Sequence, residues 1–394
     1  MDTDIRGART GSRFLLLGSL LFVGGSAILY VMPPYLDWLA DRLRLDPTQL
    51  GALAAVESLG IGIASLLGPI WLLRIDQRLC VLFGILVCVI GNSYTAYSDS
   101  YPLVLISRFG VGLLGEGIFY TVGFAILGRA HNMDRAFAIA LTAAVAFGAI
   151  GIGCAAKLEQ VLPAFGPLAP LIGVALAIVP FIGSLSSTPP ERALRASGPV
   201  PERNADGLAL FALFAQALWF AAPGAFWTFA EKIATDNGIP NRAVEAALSL
   251  SVVASLAGCL VAVWLRDRWG RLMPIAAATV GIILSAVLYQ IAHGINSLEL
   301  LLSLFYALWN YGTVYQLSFV SSLDRSGRIA VMMPAAQVFG LSIGPLCAGS
   351  LMAGSGDWAV AITTAAFAAL GLALYSACFF LQNRCRYGDD PMGL

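Results

Sequence analysis

Apolar runs of roughly twenty residues, divided by short polar breaks, follow one another along almost the whole chain. Within the runs, hydrophobic and polar positions do not alternate at period two. The pattern is therefore that of helices crossing a bilayer, in which each backbone satisfies its own hydrogen bonds, and not of a membrane barrel. The runs predict about twelve spans, at 14–36, 47–70, 78–97, 102–128, 135–157, 164–185, 207–230, 242–264, 272–292, 297–320, 328–353 and 358–382. The first follows MDTDIRGARTGSR with no small-residue cleavage site, and reads as a retained span, not a removed signal peptide.

One break is longer than the rest. Residues 186–206 are polar and rich in proline, and they divide the chain near its middle. Across that break a shift of 193 residues superposes Trp71-Leu72 on Trp264-Leu265, Arg135 on Arg328 and Gly151 on Gly344. Each pair holds the same topological place, which argues for duplication of a six-helix unit. The expected fold class is all-α integral membrane, twelve transmembrane helices in two six-helix pseudo-symmetric halves. The expected segments are a cytosolic N-terminus (1–13), a first half (14–185), a cytosolic linker (186–206), a second half (207–382) and a cytosolic tail (383–394).

Charge gives the orientation. With the N-terminus inside, one side collects Arg6, Arg9, Arg13, Arg74, Arg78, Arg129, Arg135, Arg192, Arg195, Arg203, Arg266, Arg268, Arg271, Arg325, Arg328, Arg384 and Arg386. The other holds Arg42, Arg44, Lys157, Lys232 and Arg242. The positive-inside rule then puts both termini in the cytosol of a multi-pass cell-membrane protein.

Composition narrows the function. Hydrophobic residues make up 58% and charged residues 12%, with mean hydropathy +0.80, half the charge of a soluble domain at about 25%. Lys plus Arg equals Asp plus Glu at 23 each, so no basic excess points to nucleic acid. The 7 cysteines and 2 histidines are scattered at no metal-ligand spacing, and no metal or other cofactor is expected. Gly110-Val-Gly112-Leu-Leu-Gly115 and Gly340-Leu-Ser342-Ile-Gly344 match nucleotide-binding and nucleophile-elbow patterns, but both lie inside apolar helices, where those motifs have no meaning. Nothing else suggests an enzyme.

Three charges fall more than five residues from either end of a span, where an ionised residue costs about 2.5–3.5 kcal/mol on insertion scales. Glu57 lies near the middle of span 2 and Glu116 near the middle of span 4, between Gly115 and Gly117. Arg108 lies two turns from Glu116 toward the outer face, within snorkelling reach of water. A buried carboxyl that alternates between wet and dry surroundings can load and release a proton. The competing structural roles are a neutral glutamate bonded to a helix carbonyl and a fixed Glu–Arg pair.

Arg266-Asp267-Arg268-Trp269-Gly270-Arg271 between spans 8 and 9 resembles the D-R-x-G-R loop of the major facilitator superfamily. Arg74-Ile75-Asp76-Gln77-Arg78 is a degenerate copy in the first half. Asp324-Arg325-Ser326-Gly327-Arg328, leading into Gln337, Gly340, Gly344-Pro345 and Gly349, is similar to that family's approach to span 11, and Arg108 with Gly112 and Gly115 to its span 4. The resemblance implies a secondary transporter working by alternating access. It also implies a conformational latch drawn from Asp76, Asp267, Arg268, Gly270, Arg271, Arg135 and Arg328, though these arginines also satisfy the positive-inside rule.

In that family plan spans 1, 4, 7 and 10 line a central cavity, while 2, 5, 8 and 11 form the contact between halves. Glu116 would then face the cavity and Glu57 the seam, with Arg108 modulating both. Cavity candidates are Tyr30, Gln216, Phe220, Trp227, Phe305, Trp309 and Gln316. Residues 216, 220 and 227 share one helical face, as do 305, 309 and 316. Aromatic faces with occasional amides suit a partly apolar or ring-bearing organic solute; they would equally suit lipid contact. The expected partners are the lipid bilayer, a small-molecule substrate and protons, with no nucleic acid and a monomeric state. The competing function is a receptor or solute sensor that binds without transporting, which the short tails disfavour.

Overall fold

The computed structural model describes residues 2–72, 74–127, 133–185, 205–265, 268–292, 294–324, 329 and 332–387. We number twelve helical units in chain order. They are α1 (Asp2–Leu43), α2 (Pro47–Trp71), α3 (Gln77–Tyr97), α4 (Tyr101–Leu127), α5 (Met133–Gly153, continued by Ala155–Val161), α6 (Leu168–Ser184), α7 (Ala205–Asp236), α8 (Asn241–Leu265), α9 (Leu272–Tyr289), α10 (Ile295–Leu323), α11 (Met333–Ser355) and α12 (Trp358–Tyr387).

Among the described residues nine of these are long and apolar enough to cross a membrane. Helix α5 is a tenth when its two arms count as one span, and the remaining two each have a physical reason to fall short. Helix α5 bends by 57° at Cys154. Helix α6 is short, but Val179–Ser184 tighten into a 3₁₀ turn; at about 2.0 Å per residue there and 1.5 Å before it, the unit still reaches about 28 Å, close to the bilayer core. Helix α10 has the length, 29 residues, but is too polar along its middle, where Asn310, Tyr311, Tyr315 and Gln316 replace aliphatic residues.

Local chemistry sets the ends. Asp46 caps α2 by accepting from the Gln49 amide at 2.8 Å, while Gln49 accepts from the Asp46 amide at 3.1 Å, with Pro47 preset in the first turn. Asp76 caps α3 through the Arg78 amide at 2.7 Å. At the far end of α3, Arg42 donates to the carbonyls of Thr95 (2.6 Å) and Ser98 (2.7 Å), a cation where the helix dipole favours one.

The packing repeats itself. In the first half α1 packs on α4, α5 and α6, α2 on α4, and α3 on α4 and α6. In the second, α7 packs on α10, α11 and α12, α8 on α10, and α9 on α10 and α12. Each pairing is the image of one six helices away. The halves meet through α2 with α11 and α5 with α8, again exchanged by the pseudo-twofold, with α1 against α7 between them.

Small residues make the α2–α11 crossing close. A Cβ on Gly349 would lie 3.2 Å from the Gly51 Cα, and one on Gly51 would strike the Pro345 carbonyl oxygen. Gly340 and Gly344 similarly seat α11 against Ala217, Ala221 and Ala225 of α7.

The halves are closed at one end. We call the end carrying the α1–α2, α7–α8 and α11–α12 turns the α1–α2 face. Among the described residues, five hydrogen bonds join the halves: Thr48 to the Gly349 carbonyl (3.2 Å), the Ala156 amide to Glu245 (3.3 Å), Asn241 to Asp37 (3.4 Å), Ser249 to the Ala149 carbonyl (2.7 Å) and Trp227 to the Leu29 carbonyl (3.0 Å). All lie at mid-depth or toward the α1–α2 face.

Candidate functional site

Four helices of the first half bring one charged group into the interior. Arg108 of α4 donates through Nη2 to Glu57 Oε1 of α2 and through Nη1 to Asn92 Oδ1 of α3 at 2.8 Å. Glu116 Oε1 stands 4.0 Å from the same Nη2, and the Tyr35 ring of α1 lies 5.4 Å from the guanidinium carbon. Arg108 and Glu57 are fully buried and Glu116 is 2% exposed. Snorkelling is thus overturned: the Arg108 head turns inward, because a charge-assisted bond to Glu57 and the Asn92 amide solvate it better than a distant water layer could.

The backbone of α4 makes the cluster possible. Eight residues along a regular helix would leave Arg108 and Glu116 about 80° apart around the axis. Gly112–Glu116 instead form a π turn, with the Gly117 amide bonded to the Gly112 carbonyl. Absorbing one residue in that turn reduces the offset to about 20°, so both side chains face α2. Glycine is required where the widened turn touches its neighbours: a Cβ on Gly112 would collide with the Glu57 carbonyl oxygen, and one on Gly115 would approach Cys88 Sγ to 2.5 Å.

Chemically, the cluster holds two carboxyls and one guanidinium. It is neutral when one of the carboxyls carries a proton. Among the described residues, Glu57 Oε2, Glu116 Oε2, Arg108 Nε and the Tyr35 hydroxyl have no hydrogen-bond partner, so donor and acceptor capacity is left over for exchange. Asn92 and Tyr35 were missed by the sequence reading; a lone amide amid the apolar run of span 3 was the available signal for the first.

The second half supplies a buried chain of aromatic rings. Trp309 packs edge-on against Phe220 (6.1 Å between centroids) and Tyr306 (4.9 Å), and Tyr306 against Trp227 (4.7 Å). The Trp227 bond to Leu29 sets this chain of rings beside Tyr30 of α1, against which Gly148 of α5 also packs. The other candidates go elsewhere. Phe305 stacks on Phe226 at 4.1 Å inside the second half, and Gln316 accepts from Tyr375 of α12 at 3.5 Å. Gln216 is fully buried, with neither amide atom bonded among the described residues.

The loop residues make local contacts. Asp76 is spent on its cap, and the neighbouring Arg78 donates to the Leu185 carbonyl at 2.7 Å, tying α3 to the end of α6. Arg268 lies over the Trp264 ring at 5.6 Å. Gly270 has φ +67°, a left-handed turn that favours glycine, and Arg271 directly precedes α9. Asp267 and Arg328 lie outside the described residues, as does the Arg135 side chain.

Two pseudo-symmetric six-helix halves, closed on one face and carrying buried charge in one half and packed aromatic rings in the other, define a multi-pass membrane protein with a transporter fold. The Major Facilitator Superfamily profile matches residues 14–328, and the chain belongs to that family. It is similar in structure to the nucleoside transporter NupG (TM-score 0.69, 14% identity, covering 94% of this chain and 98% of that one). It also resembles the D-xylose-proton symporter (0.68, 15%, 91% and 95%) and a bacterial homolog of the human lysosomal transporter Spinster (0.63, 14%, 96% and 97%). At such identities the likeness is one of fold. A comparison with curated proteins finds no match.

Proposed function

We propose that the protein is a secondary transporter that moves a small organic solute by alternating access and couples that movement to protons through Glu57, Arg108 and Glu116. The observation that carries this is the buried two-carboxyl, one-guanidinium cluster with unpartnered oxygens on both glutamates. Such a group balances its charge by taking up or releasing one proton as its surroundings change.

The solute would lie between Tyr30 and the rings of Phe220, Trp227 and Trp309, whose faces favour a planar or partly apolar molecule. By the positive-inside rule the closed α1–α2 face points out of the cytosol. The loop residues Arg268, Gly270 and Arg271, with Asp76, Asp267, Arg135 and Arg328, would latch the opposite face when it closes. The nucleoside and xylose neighbours make nucleosides and sugars the first solutes to test.

The experiment measures gradient-dependent accumulation or depletion of nucleosides, sugars and aromatic organic solutes in proteoliposomes, for wild type, Glu57→Gln and Glu116→Gln. A solute moved by wild type under a proton gradient, and not by either variant, is the expected result. Gradient-driven transport at wild-type rate in both variants would refute the coupling assignment.

A further inference from the structure

A second set of carboxyls lies away from the cluster just described, where the two halves close. Glu231 of α7 is 2% exposed, and its Oε2 has no hydrogen-bond partner among the described residues. The charges that act on it come from Asp37 on α1, Glu245 on α8 and Glu159 on α5, with the Tyr289 hydroxyl of α9 also in range. Two of those carboxyls, Asp37 and Glu159, belong to the first half; Glu231 and Glu245 belong to the second.

The seam itself is built from the same residues. Asn241 reaches across to Asp37, and the Ala156 amide, just past the break in α5, reaches across to Glu245. Asp37 and Asp41 also line a cavity of about 230 Å³ between α1 and α7, which Lys232 and Asp236 border from the other side.

Positive charge balances the group only in part, through Lys232 acting on Asp37 and Arg242 on Glu245. Lys232 is held by Asp236 at 2.6 Å, and Arg242 acts on Glu245 from an exposed position. Asp357, in the α11–α12 turn, adds a further acid; burial and then Asp236 hold it above the ordinary carboxylate range, against the pull of Lys232. Closing this face therefore drives like charges from opposite halves together in a poorly hydrated seam. The repulsion disappears when one of them binds a proton.

We propose that Glu231, with Asp37, Glu159 and Glu245, forms a proton-binding site assembled across the two halves when the α1–α2 face is closed, so that proton uptake there holds the face shut. The sign follows from linkage: the closed state binds more protons than the open one, and raising the pH shifts the population toward opening. For each proton taken up on closing, the closed-to-open ratio falls about tenfold per pH unit across the titration. The site is independent of the α2–α4 cluster, whose members all lie in one half.

The test places spin labels at exposed positions on opposite halves, Gln160→Cys and Asn237→Cys, with Cys154→Ser. The inter-label distance distribution is followed from about pH 5 to about pH 9, a window that brackets buried carboxyls. Wild type should pass from a short to a long distance as pH rises. Glu231→Gln, the neutral isostere, should keep the short distance at high pH and flatten the response. Glu245→Gln should act in the same direction, and Glu116→Gln should leave the response in place. A wild-type distribution that does not move with pH overturns the proposal. So does an unchanged response in both Glu231→Gln and Glu245→Gln, or one abolished by Glu116→Gln alone.

Discussion

Replacing Arg108 by methionine keeps most of the side-chain volume and removes the only cation described in the α2–α4 cluster. Glu57 then loses its charge-assisted partner and Asn92 its donor. Breaking a buried pair from one side costs about 3–5 kcal/mol, because the remaining charge is left without compensation. The orphaned carboxylate has one escape, which is to take a proton. An ordinary glutamate titrates near about 4.3, so holding one extra proton costs about 3.7 kcal/mol at pH 7 and only about 1 kcal/mol at pH 5. The lost Asn92 hydrogen bond adds about 1 kcal/mol at either pH.

The variant should therefore be far less stable than wild type at neutral pH and recover most of the difference in mild acid. The gap between the two conditions is about 2.7 kcal/mol, close to two powers of ten in the unfolding equilibrium. Detergent-solubilised protein, heated at pH 7 and at pH 5 and followed by the fraction that stays monodisperse, reads this out. Adding Glu57→Gln to Arg108→Met should restore stability at pH 7, since no buried carboxylate is then stranded. Equal destabilisation at both pH values, or a double variant no better than the single one, would refute the charge-balance argument.

Other substitutions probe the backbone and the seam. Gly112→Ala should displace the Glu57 carbonyl that a Cβ would strike, destabilise the protein by about 1–3 kcal/mol as overpacked sites do, and abolish any proton coupling; an unaltered melting profile would count against the π turn. Trp227→Phe keeps the ring but loses the bond to Leu29, so the α1–α2 face should open more readily, by about 0.5–1.5 kcal/mol, as read by the same spin-label pair. Asp46→Ala removes a reciprocal cap and should lower thermal stability by about 0.5–2 kcal/mol without touching transport.

The helices were legible in the sequence because lipid imposes one rule on every span, and most of the twelve runs obey it, α6 and α10 being the departures. The duplication was legible for a similar reason: matched positions such as Trp71 and Trp264 survive at a fixed offset. What stayed hidden depends on departures from regularity. The expected geometry placed Arg108 and Glu116 on an ideal helix, and an ideal helix does not converge them; the π turn at Gly112–Glu116 does. Nothing in a hydropathy pattern distinguishes five residues in a π turn from five in an α turn. Phe305 and Trp309 were assigned to one wall by spacing alone. Phe305 stacks on Phe226, while Trp309 joins Phe220 and Tyr306, because different rings of α7 capture the two.

The positions of the two acidic groups suggest how they would divide the work on the proposed mechanism. Helices α2 and α4 pack tightly within one half, with Gly60 and Gly112 at their contact. A rigid-body movement of the halves leaves the Glu57–Arg108–Glu116 geometry intact. That cluster can sense the cycle only through the water and solute admitted at its edge, or through α11, which crosses α2 at Gly51 and meets it again where Phe339 packs on Gly62. The carboxyls around Glu231 differ in kind, since two come from each half and the same movement assembles or separates them. A proton held within one half changes what that half can bind, whereas a proton shared between halves changes which face is open. Strict coupling needs both, because solute binding must be made to depend on the face that is open. Neutralising Glu231 should therefore loosen coupling, letting the solute move without a matching proton, while neutralising Glu116 should stop proton-driven movement altogether.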